Sequence, residues 1–256
     1  MNISRKTVAV RDKRIGGERP CICAPVVGEN LEQIVSETEE IRRKAPDIIE
    51  WRADYFKDIG DPQRVEEAAL AIRRIAGNIP VLFTVRSEKE GGHPAPIEES
   101  EKIRLLIEVC RKQFVDMVDC ELYYGEDLVP LSEAAKKTGI RLVVSYHNFH
   151  STPPKEELVQ KMLKAESYGA DIAKVAVMPT SPDDVLALFQ VTQEGRNRLR
   201  IPLITISMGG LGVVTRLTGW LFGSAVTFSV GQKSSAPGQI PIEELRAALR
   251  VVQKYV

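Results

Sequence analysis

Ile172-Ala173-Lys174-Val175-Ala176-Val177-Met178 is a seven-residue run in which every residue except Lys174 is apolar. Strands of a parallel sheet are covered on both faces and are almost continuously apolar, so this run predicts such a strand. Apolar residues with helical spacing follow it at residues 185–191. A buried strand followed by an amphipathic helix is one unit of a parallel α/β fold. The run therefore predicts the fold class α/β.

The same alternation extends in both directions from this unit, over the whole chain after Pro20. Apolar runs predict strands at residues 21–25, 48–53, 81–86, 117–122, 142–147, 172–177, 203–208 and 225–229. Helical spacings lie between and after them, at residues 31–43, 65–75, 103–109, 131–135, 158–165, 185–191, 213–221 and 242–252. Eight units of about 32 residues favour a closed (β/α)8 TIM barrel over an open doubly wound sheet. No GxGxxG follows the first strand, which leaves a dinucleotide-binding fold without support.

The composition excludes several classes of partner. The 256 residues contain 35 Lys+Arg and 35 Asp+Glu, so the chain has no net charge that would attract nucleic acid or an anionic membrane. No apolar stretch approaches the roughly 20 residues that a membrane span requires. Before the first unit, residues 8–10 and 14–17 predict a short β-hairpin within residues 1–18, which we expect to cap the bottom of the barrel.

The four cysteines predict buried free thiols. Cys21, Cys23, Cys110 and Cys120 lie in apolar or helical patterns, and no CxxC or Cys/His ligand spacing is present. This arrangement argues against a zinc site and fits a chain kept reduced in the cytoplasm.

Charged residues interrupt the predicted strands at or just past their C-terminal ends. Glu50 and Arg52 share a face, because side chains of a strand repeat every two residues. Active sites of barrel enzymes lie at this end of the strands. The charged residues in question are Glu50, Arg52, Arg86, Glu90, Glu121, Lys174 and Arg216.

Lys174 allows two interpretations. A buried ammonium is costly unless it is paired, and Asp171 lies on the opposite face of the same strand. One interpretation is a structural lysine paired with an acid on a neighbouring strand. The other, which the barrel setting favours, is a nucleophile that attacks a carbonyl and forms a Schiff base.

His147 lies at the end of the fifth predicted strand, one strand before Lys174. A lone strand histidine is often a core residue, but this position allows the two side chains to converge inside a barrel. A general acid/base role is therefore a second hypothesis. We expect His93 and His150 to be surface residues of loops.

Glycines at positions 209, 210 and 212 precede the weakest predicted helix. They allow the helix N-terminus to bind a phosphate, as many barrels do after their seventh and eighth strands. Arg216 in the same helix offers a different function, since a guanidinium binds a carboxylate at two points.

Six motifs, taken in order, resemble type I 3-dehydroquinate dehydratases. The resemblance extends from Pro20 to the C-terminus. It implies a (β/α)8 barrel, usually a homodimer, that needs no metal or organic cofactor and converts 3-dehydroquinate to 3-dehydroshikimate in the shikimate pathway. The motifs are Glu50-Trp51-Arg52-Ala53-Asp54, Phe83-Thr84-Val85-Arg86-Ser87 with Glu90-Gly91-Gly92, Ser145-Tyr146-His147-Asn148-Phe149, Ala173-Lys174-Val175-Ala176-Val177-Met178-Pro179, Ser207-Met208-Gly209 and Ser235-Ala236-Pro237-Gly238-Gln239.

The resemblance also implies a role for each matching residue. Lys174 matches the Schiff-base lysine, His147 the general acid/base, and Glu90 the acid that orients the histidine and raises its basicity. The implied substrate-binding residues fall into four groups. They are Glu50, Arg52 and Arg86 at the substrate hydroxyls, Arg216 and Gln239 at its carboxylate, Ser235 in a closing loop, and Met208 and Phe228 as apolar walls.

We therefore predict one catalytic barrel domain, residues 1–256, with a mobile active-site loop at residues 231–241. Two other functions fit the same barrel. A Schiff-base aldolase shares the lysine, although many aldolases act on phosphorylated substrates. A non-catalytic receptor for a sugar acid would bind the same ligand without covalent chemistry.

Overall fold

The computed structural model describes residues 6–256. It contains all eight predicted barrel strands, each within two residues of its predicted ends. They are β3 (Cys21–Val26), β4 (Ile48–Arg52), β5 (Val81–Thr84), β6 (Met117–Glu121), β7 (Arg141–Asn148), β8 (Ile172–Val177), β9 (Leu203–Ser207) and β10 (Val226–Val230). The hairpin that precedes them is also present, as β1 (Val8–Val10) and β2 (Lys13–Ile15).

Each barrel strand is followed by a helix. The helices are α1 (Leu31–Arg43), α2 (Pro62–Ala76), α3 (Glu99–Lys112), α4 (Leu128–Thr138), α5 (Lys155–Ser167), α6 (Pro182–Arg198), α7 (Gly209–Phe222) and α8 (Ile242–Gln253), with a two-residue strand β11 (Ile240–Pro241) just before α8. Local signals set several of their first residues. In α6, for example, Ser181 and Asp184 form a capping box and Pro182 occupies the first turn. Within residues 6–256, no helix is long and apolar enough to cross a membrane.

The parallel strands close into a barrel, as predicted. They pair in chain order from β3 to β9, and β10 pairs with β3. The last gap, between β9 and β10, is closed by a parallel bridge from Leu203 to Ser224 and by a hydrogen bond from the Ala225 amide to the Leu203 carbonyl.

Two apolar cores lie on the two faces of the barrel wall. The outer core lies between strands and helices. The inner core fills the bottom of the barrel with inward residues such as Leu82, Met117 and Ile172, and the hairpin adds Val10 and Ile15 to it. Higher up, the inward positions become polar. The barrel is therefore closed and apolar at its N-terminal end, and its polar interior opens at the C-terminal end. The four cysteines are buried free thiols.

Helix α7 begins four residues before its predicted start. Glycine has a low helix propensity, so residues 209–212 look like a loop in the sequence. In the structure, a side chain at Gly212 would lie 2.2 Å from the Ser207 carbonyl oxygen, so the glycine allows the helix to pack directly on β9.

Candidate active site

A cavity of about 460 Å³ opens at the C-terminal end of the barrel. The structure brings together around it all eleven residues that the sequence predicted for the site. They are Glu50, Arg52, Arg86, Glu90, His147, Lys174, Met208, Arg216, Phe228, Ser235 and Gln239. By contrast, His93 and His150 are exposed in loops, as expected.

Lys174 lies in the middle of β8 and points inward, with only 5% of the residue exposed. Its Nζ lies 3.1 Å from Oδ2 of Asp119 and 4.6 Å from the centre of the Phe228 ring. The sequence left open whether an acid on a neighbouring strand pairs with this lysine. The acid exists, but β7 separates its strand β6 from β8. The lysine is both paired and on the cavity wall.

Asp119 is the main site residue that the sequence analysis did not assign. It is buried beneath the cavity, and its Oδ1 accepts hydrogen bonds from Arg86 at 2.8 Å and from Ser145 at 2.6 Å. Burial opposes its ionisation, but Arg86 and Lys174 outweigh burial and lower the pKa of Asp119 to about 2. Its position two residues before Glu121 on the inward face of a strand was the available signal.

Glu90 and His147 form a hydrogen-bonded pair. Oε2 of Glu90 lies 2.8 Å from Nδ1 of His147 and also accepts the His147 backbone N–H at 2.9 Å. Glu90 is placed by a short 3₁₀ turn (Glu88–Glu90) that ends at Gly91, where a φ of 78° and close contact with the Phe149 ring both require glycine. Glu90 therefore contacts the imidazole at Nδ1, and the orienting role that the resemblance implied stays a prediction.

Burial determines the protonation of this pair. It raises the pKa of Glu90 to about 8, against the opposing effect of Arg86. It also lowers the pKa of His147 well below the usual range, and the positive charges of Arg86 and Lys174 add to this effect. Both shifts disfavour a charge on the pair. Near neutral pH the pair holds a single titratable proton.

Arg86 connects the two halves of the site. Its guanidinium lies 2.8 Å from Asp119 and 3.1 Å from Glu121, and its NH1 also donates to Ser145. These acids raise the pKa of Arg86 further above its usual value, although burial opposes them. Arg86 thus lines the cavity with most of its donors already bound to protein groups.

Glu50 and Arg52 lie side by side at the end of β4. Glu50 accepts a hydrogen bond from Thr84 at 3.0 Å. Arg52 makes a two-point contact with Asp54, at 2.9 and 2.7 Å, which fixes the plane of its guanidinium. Asp54 also accepts the backbone N–H groups of Arg86 and His93, so it ties two neighbouring segments to this arginine.

Arg216 is a buried cation in the cavity wall. Its NH1 and NH2 donate to the carbonyls of Phe228 and Pro237, but its Nε is buried without a partner. Within residues 6–256, no acid forms an ion pair with Arg216, and burial lowers its pKa to about 10. An unpaired donor on a buried cation indicates a site for an anion.

The segment after β10 covers this side of the cavity. Gln239 folds it into a compact turn by accepting the Ser235 N–H at 2.9 Å and donating to the Ser235 hydroxyl at 3.1 Å. The Gly209 N–H at the start of α7 donates to the Pro237 carbonyl. This N–H is therefore already bonded to a protein group and is not free to bind a phosphate.

Comparisons of sequence place the chain among known dehydratases. A model of the family described as Type I 3-dehydroquinase matches residues 22–256. The 3-dehydroquinate dehydratase of Geobacillus sp. strain WCH70 is 70% identical over 256 residues, which is 100% of this chain and 99% of that relative.

Comparisons of structure agree. The crystal structure of 3-dehydroquinate dehydratase from Geobacillus kaustophilus HTA426 has a TM-score of 0.97 and 56% identity, and the match covers 100% of this chain and 99% of that one. The type I enzyme of Clostridium difficile, solved with covalently modified comenic acid, has a TM-score of 0.94 and 37% identity, with 99% and 100% covered.

Proposed function

Because the chain belongs to the type I 3-dehydroquinase family, we propose that its cavity dehydrates 3-dehydroquinate to 3-dehydroshikimate through a Schiff base on Lys174. This is a reaction of the shikimate pathway. His147 acts as the general acid/base, and Glu90 orients it. The observation that carries the proposal is one cavity that joins a buried amine, an oriented imidazole and an arginine with a free buried donor.

The chemistry of the substrate requires these three groups. 3-Dehydroquinate is a cyclic β-hydroxy ketone with a carboxylate, and loss of water begins with removal of a proton next to the ketone. A protonated imine withdraws electrons more strongly than the ketone does, so Lys174 makes this proton more acidic. His147, positioned by its 2.8 Å bond to Glu90, takes the proton and later protonates the leaving hydroxyl.

The remaining residues orient the ring. Arg216 provides its unpaired Nε, and Gln239 lies beside it for the substrate carboxylate. Glu50, Arg52 and Arg86 face the hydroxyls, Ser235 closes the cavity, and Met208 and Phe228 form its apolar walls. The segment at residues 231–241 acts as a mobile loop that excludes water while the imine exists.

Trapping of the imine tests the proposal. The protein is incubated with 3-dehydroquinate and borohydride, and its intact mass is then measured. We expect an adduct that peptide mapping assigns to Lys174, whereas an aldolase or a sugar-acid receptor would give no dehydrated product. A protein that turns over its substrate but never gains mass would contradict the imine.

The variant Lys174→Ala is the matched control. We expect no measurable turnover and no adduct from this variant, together with a melting temperature close to that of the wild type. The fold should survive because Asp119 keeps its bonds to Arg86 and Ser145. Appreciable dehydration by a folded Lys174→Ala protein would refute the covalent role.

Family membership also supports two broader proposals. The chain acts as a homodimer, and it acts in the cytoplasm. Sedimentation equilibrium of the purified protein measures its mass in solution and distinguishes a dimer from a monomer.

A further inference from the structure

The mechanism above leaves Asp119 without a function. Its carboxylate does not line the cavity, yet its Oδ2 lies 3.1 Å from the amine of Lys174. No other acid within residues 6–256 forms an ion pair with this lysine. A buried acid in contact with the reacting nitrogen is therefore the strongest feature of the site still unassigned.

We propose that Asp119 is a positioning residue for the covalent intermediate. Its carboxylate accepts the N–H of the protonated imine and keeps the imine protonated until the neighbouring proton is removed. The proposal rests on the Schiff base of the proposed function. It concerns the side of Lys174 that faces away from the cavity.

The planar geometry of a protonated imine allows Asp119 to orient the intermediate. The nitrogen of a protonated imine is planar and carries three substituents, which are Cε of the lysine, the substrate carbon and one hydrogen. Asp119 lies beneath the cavity wall on the Nζ side of Lys174. When the single N–H donates to Asp119, the bond to the substrate carbon is directed away from Asp119 and toward the cavity. The carboxylate therefore selects the orientation in which the substrate is held.

The other partners of Asp119 keep it ionised, so that it can stabilise a positively charged nitrogen. Arg86 and Ser145 both donate to Oδ1, which leaves Oδ2 free for the lysine nitrogen. These contacts hold the pKa of Asp119 at about 2, so the carboxylate stays ionised and does not act as a base. A fixed negative charge at this distance stabilises a buried positive nitrogen.

The charge of the nitrogen changes during the reaction in a balanced way. Lys174 starts as the ammonium that pairs with Asp119 and gives up two of its three protons. Its nitrogen attacks the carbonyl carbon, an N–C bond forms, and the carbonyl oxygen takes up both protons and leaves as water, which gives a protonated imine. His147 then takes the neighbouring proton, and the C–H electron pair moves toward the nitrogen to form a neutral enamine. The enamine expels the hydroxyl, which His147 protonates to water, and the nitrogen becomes positive again. Asp119 faces both positively charged states.

Asp119→Asn tests the proposal, because the amide is close in size and retains an acceptor oxygen but has no charge. Without the anion, a buried imine loses its proton, and a neutral imine is a weak electron sink. We expect kcat to fall by about 10²-fold, the scale for loss of one preorganised electrostatic partner, while KM stays within about threefold. The primary isotope effect with substrate deuterated next to the ketone should increase, because proton removal becomes more rate-limiting. Borohydride should still trap an adduct.

Glu121→Gln is the matched control. Glu121 lies on the same strand, is equally buried and contacts the same arginine, but the structure shows no contact between Glu121 and Lys174. We expect this variant to change KM through Arg86 and to leave the isotope effect unchanged. Equal changes of kcat and isotope effect in both variants would overturn the proposal, because they would show that Asp119 acts through Arg86 alone.

Asp119→Glu provides a second test if the asparagine variant does not fold. This variant keeps the negative charge. Where both variants fold, we expect Asp119→Glu to retain more of kcat than Asp119→Asn. Where only Asp119→Glu folds, we expect it to trap the imine and to show a raised isotope effect. Wild-type kcat and isotope effect in a folded Asp119→Asn protein would refute the inference and leave the Schiff base intact. Absence of an adduct in the wild type would instead refute the proposed function.

Discussion

One acid lies just before strand β6 and another in its middle, and the two behave differently. Asp116, just before its first residue, lies at the bottom of the barrel with its side chain 12% exposed. It accepts the Val81 N–H at 2.8 Å and pairs with Arg73 of α2 and Arg11 of the hairpin. Asp119, three residues later, is fully buried beneath the cavity and pairs with Arg86 and Lys174.

The bottom of the barrel repeats the Asp116 arrangement on alternate strands. Asp47 accepts the Ile22 N–H and Asp171 accepts the Leu142 N–H, both at 2.9 Å. Each also pairs with a cation at the rim, Lys13 for Asp47 and Arg141 for Asp171. These acids satisfy backbone donors at the starts of neighbouring strands, so they hold the strand ends in register.

The top of the barrel uses the same residue types in another way. There the charges converge on a cavity, and some of them share a partner, as Arg86 and Lys174 share Asp119. Arg86 alone contacts three carboxylates and a hydroxyl. A charge at a strand end therefore does not by itself indicate catalysis. Catalysis is indicated when charged groups are both buried and gathered around one cavity, because their pKa values are then shifted toward values that suit proton transfer or nucleophilic attack.

Among variants that distinguish the top of the barrel from the bottom, His147→Ala should show the largest loss of turnover. Loss of the general acid/base is expected to slow turnover by about 10²–10⁴-fold. The imine should still be trapped on Lys174, since the amine and its partner Asp119 remain. Steady-state kinetics and the intact mass after borohydride measure the two effects. A variant that cannot be trapped would show that His147 also serves imine formation.

Asp116→Ala, at the bottom of the barrel, should lower stability and leave turnover unchanged. The variant leaves the Val81 N–H and two arginines without their acceptor, and we expect a loss of about 2 kcal/mol in the free energy of unfolding. Its kcat should equal that of the wild type. Denaturant titration and steady-state kinetics provide the two readouts.

Asp116→Asn is the control for this variant, because the amide retains an acceptor for the Val81 N–H. We expect it to lose less stability than the alanine variant. A large fall in kcat in either variant, with the protein still folded, would contradict the idea that acids at the bottom of the barrel serve stability and not catalysis.

The sequence was sufficient to predict the barrel, and the eleven residues that it assigned to the site line one cavity. The observed bounds of β8 equal the predicted ones, because a short apolar run between charged segments leaves little freedom in where a strand begins and ends. Charged residues such as Glu50, Arg86 and Lys174 were noticed because they interrupt or follow apolar strands, and all parallel strands of a barrel end at the same rim. Met208, Phe228, Ser235 and Gln239 came from the family resemblance alone.

The contacts across the barrel were not predictable in the same way. Periodicity shows that Asp119 and Lys174 both point inward, but it does not show that they meet across β7. The start of α7 was missed because the close packing of Gly212 on Ser207, which no local pattern encodes, offsets a poor helix propensity. The engagement of Arg216 by the Pro237 carbonyl depends on the path of a loop.

The smallest expected effect is the pH dependence of kcat/KM, which tests the Glu90–His147 pair at the top of the barrel. Below about pH 8 the Glu90–His147 pair holds one titratable proton, since burial raises the pKa of Glu90 to about 8 and keeps that of His147 well below its usual range. The pair removes a proton from the substrate only after losing its own. We therefore expect kcat/KM to rise about tenfold from pH 7 to pH 9 and to level off above.

Glu90→Gln should abolish this rise. The amide still accepts from the His147 backbone and ring, but no carboxyl remains to titrate, and a histidine with a lowered pKa is already neutral at pH 7. The kcat/KM profile should then be flat from pH 7 to pH 9. Glu88→Gln is the matched control, because Glu88 is an exposed carboxyl in the same turn. A rise that survives in Glu90→Gln would assign the titration to another group and would remove Glu90 from the proton transfer.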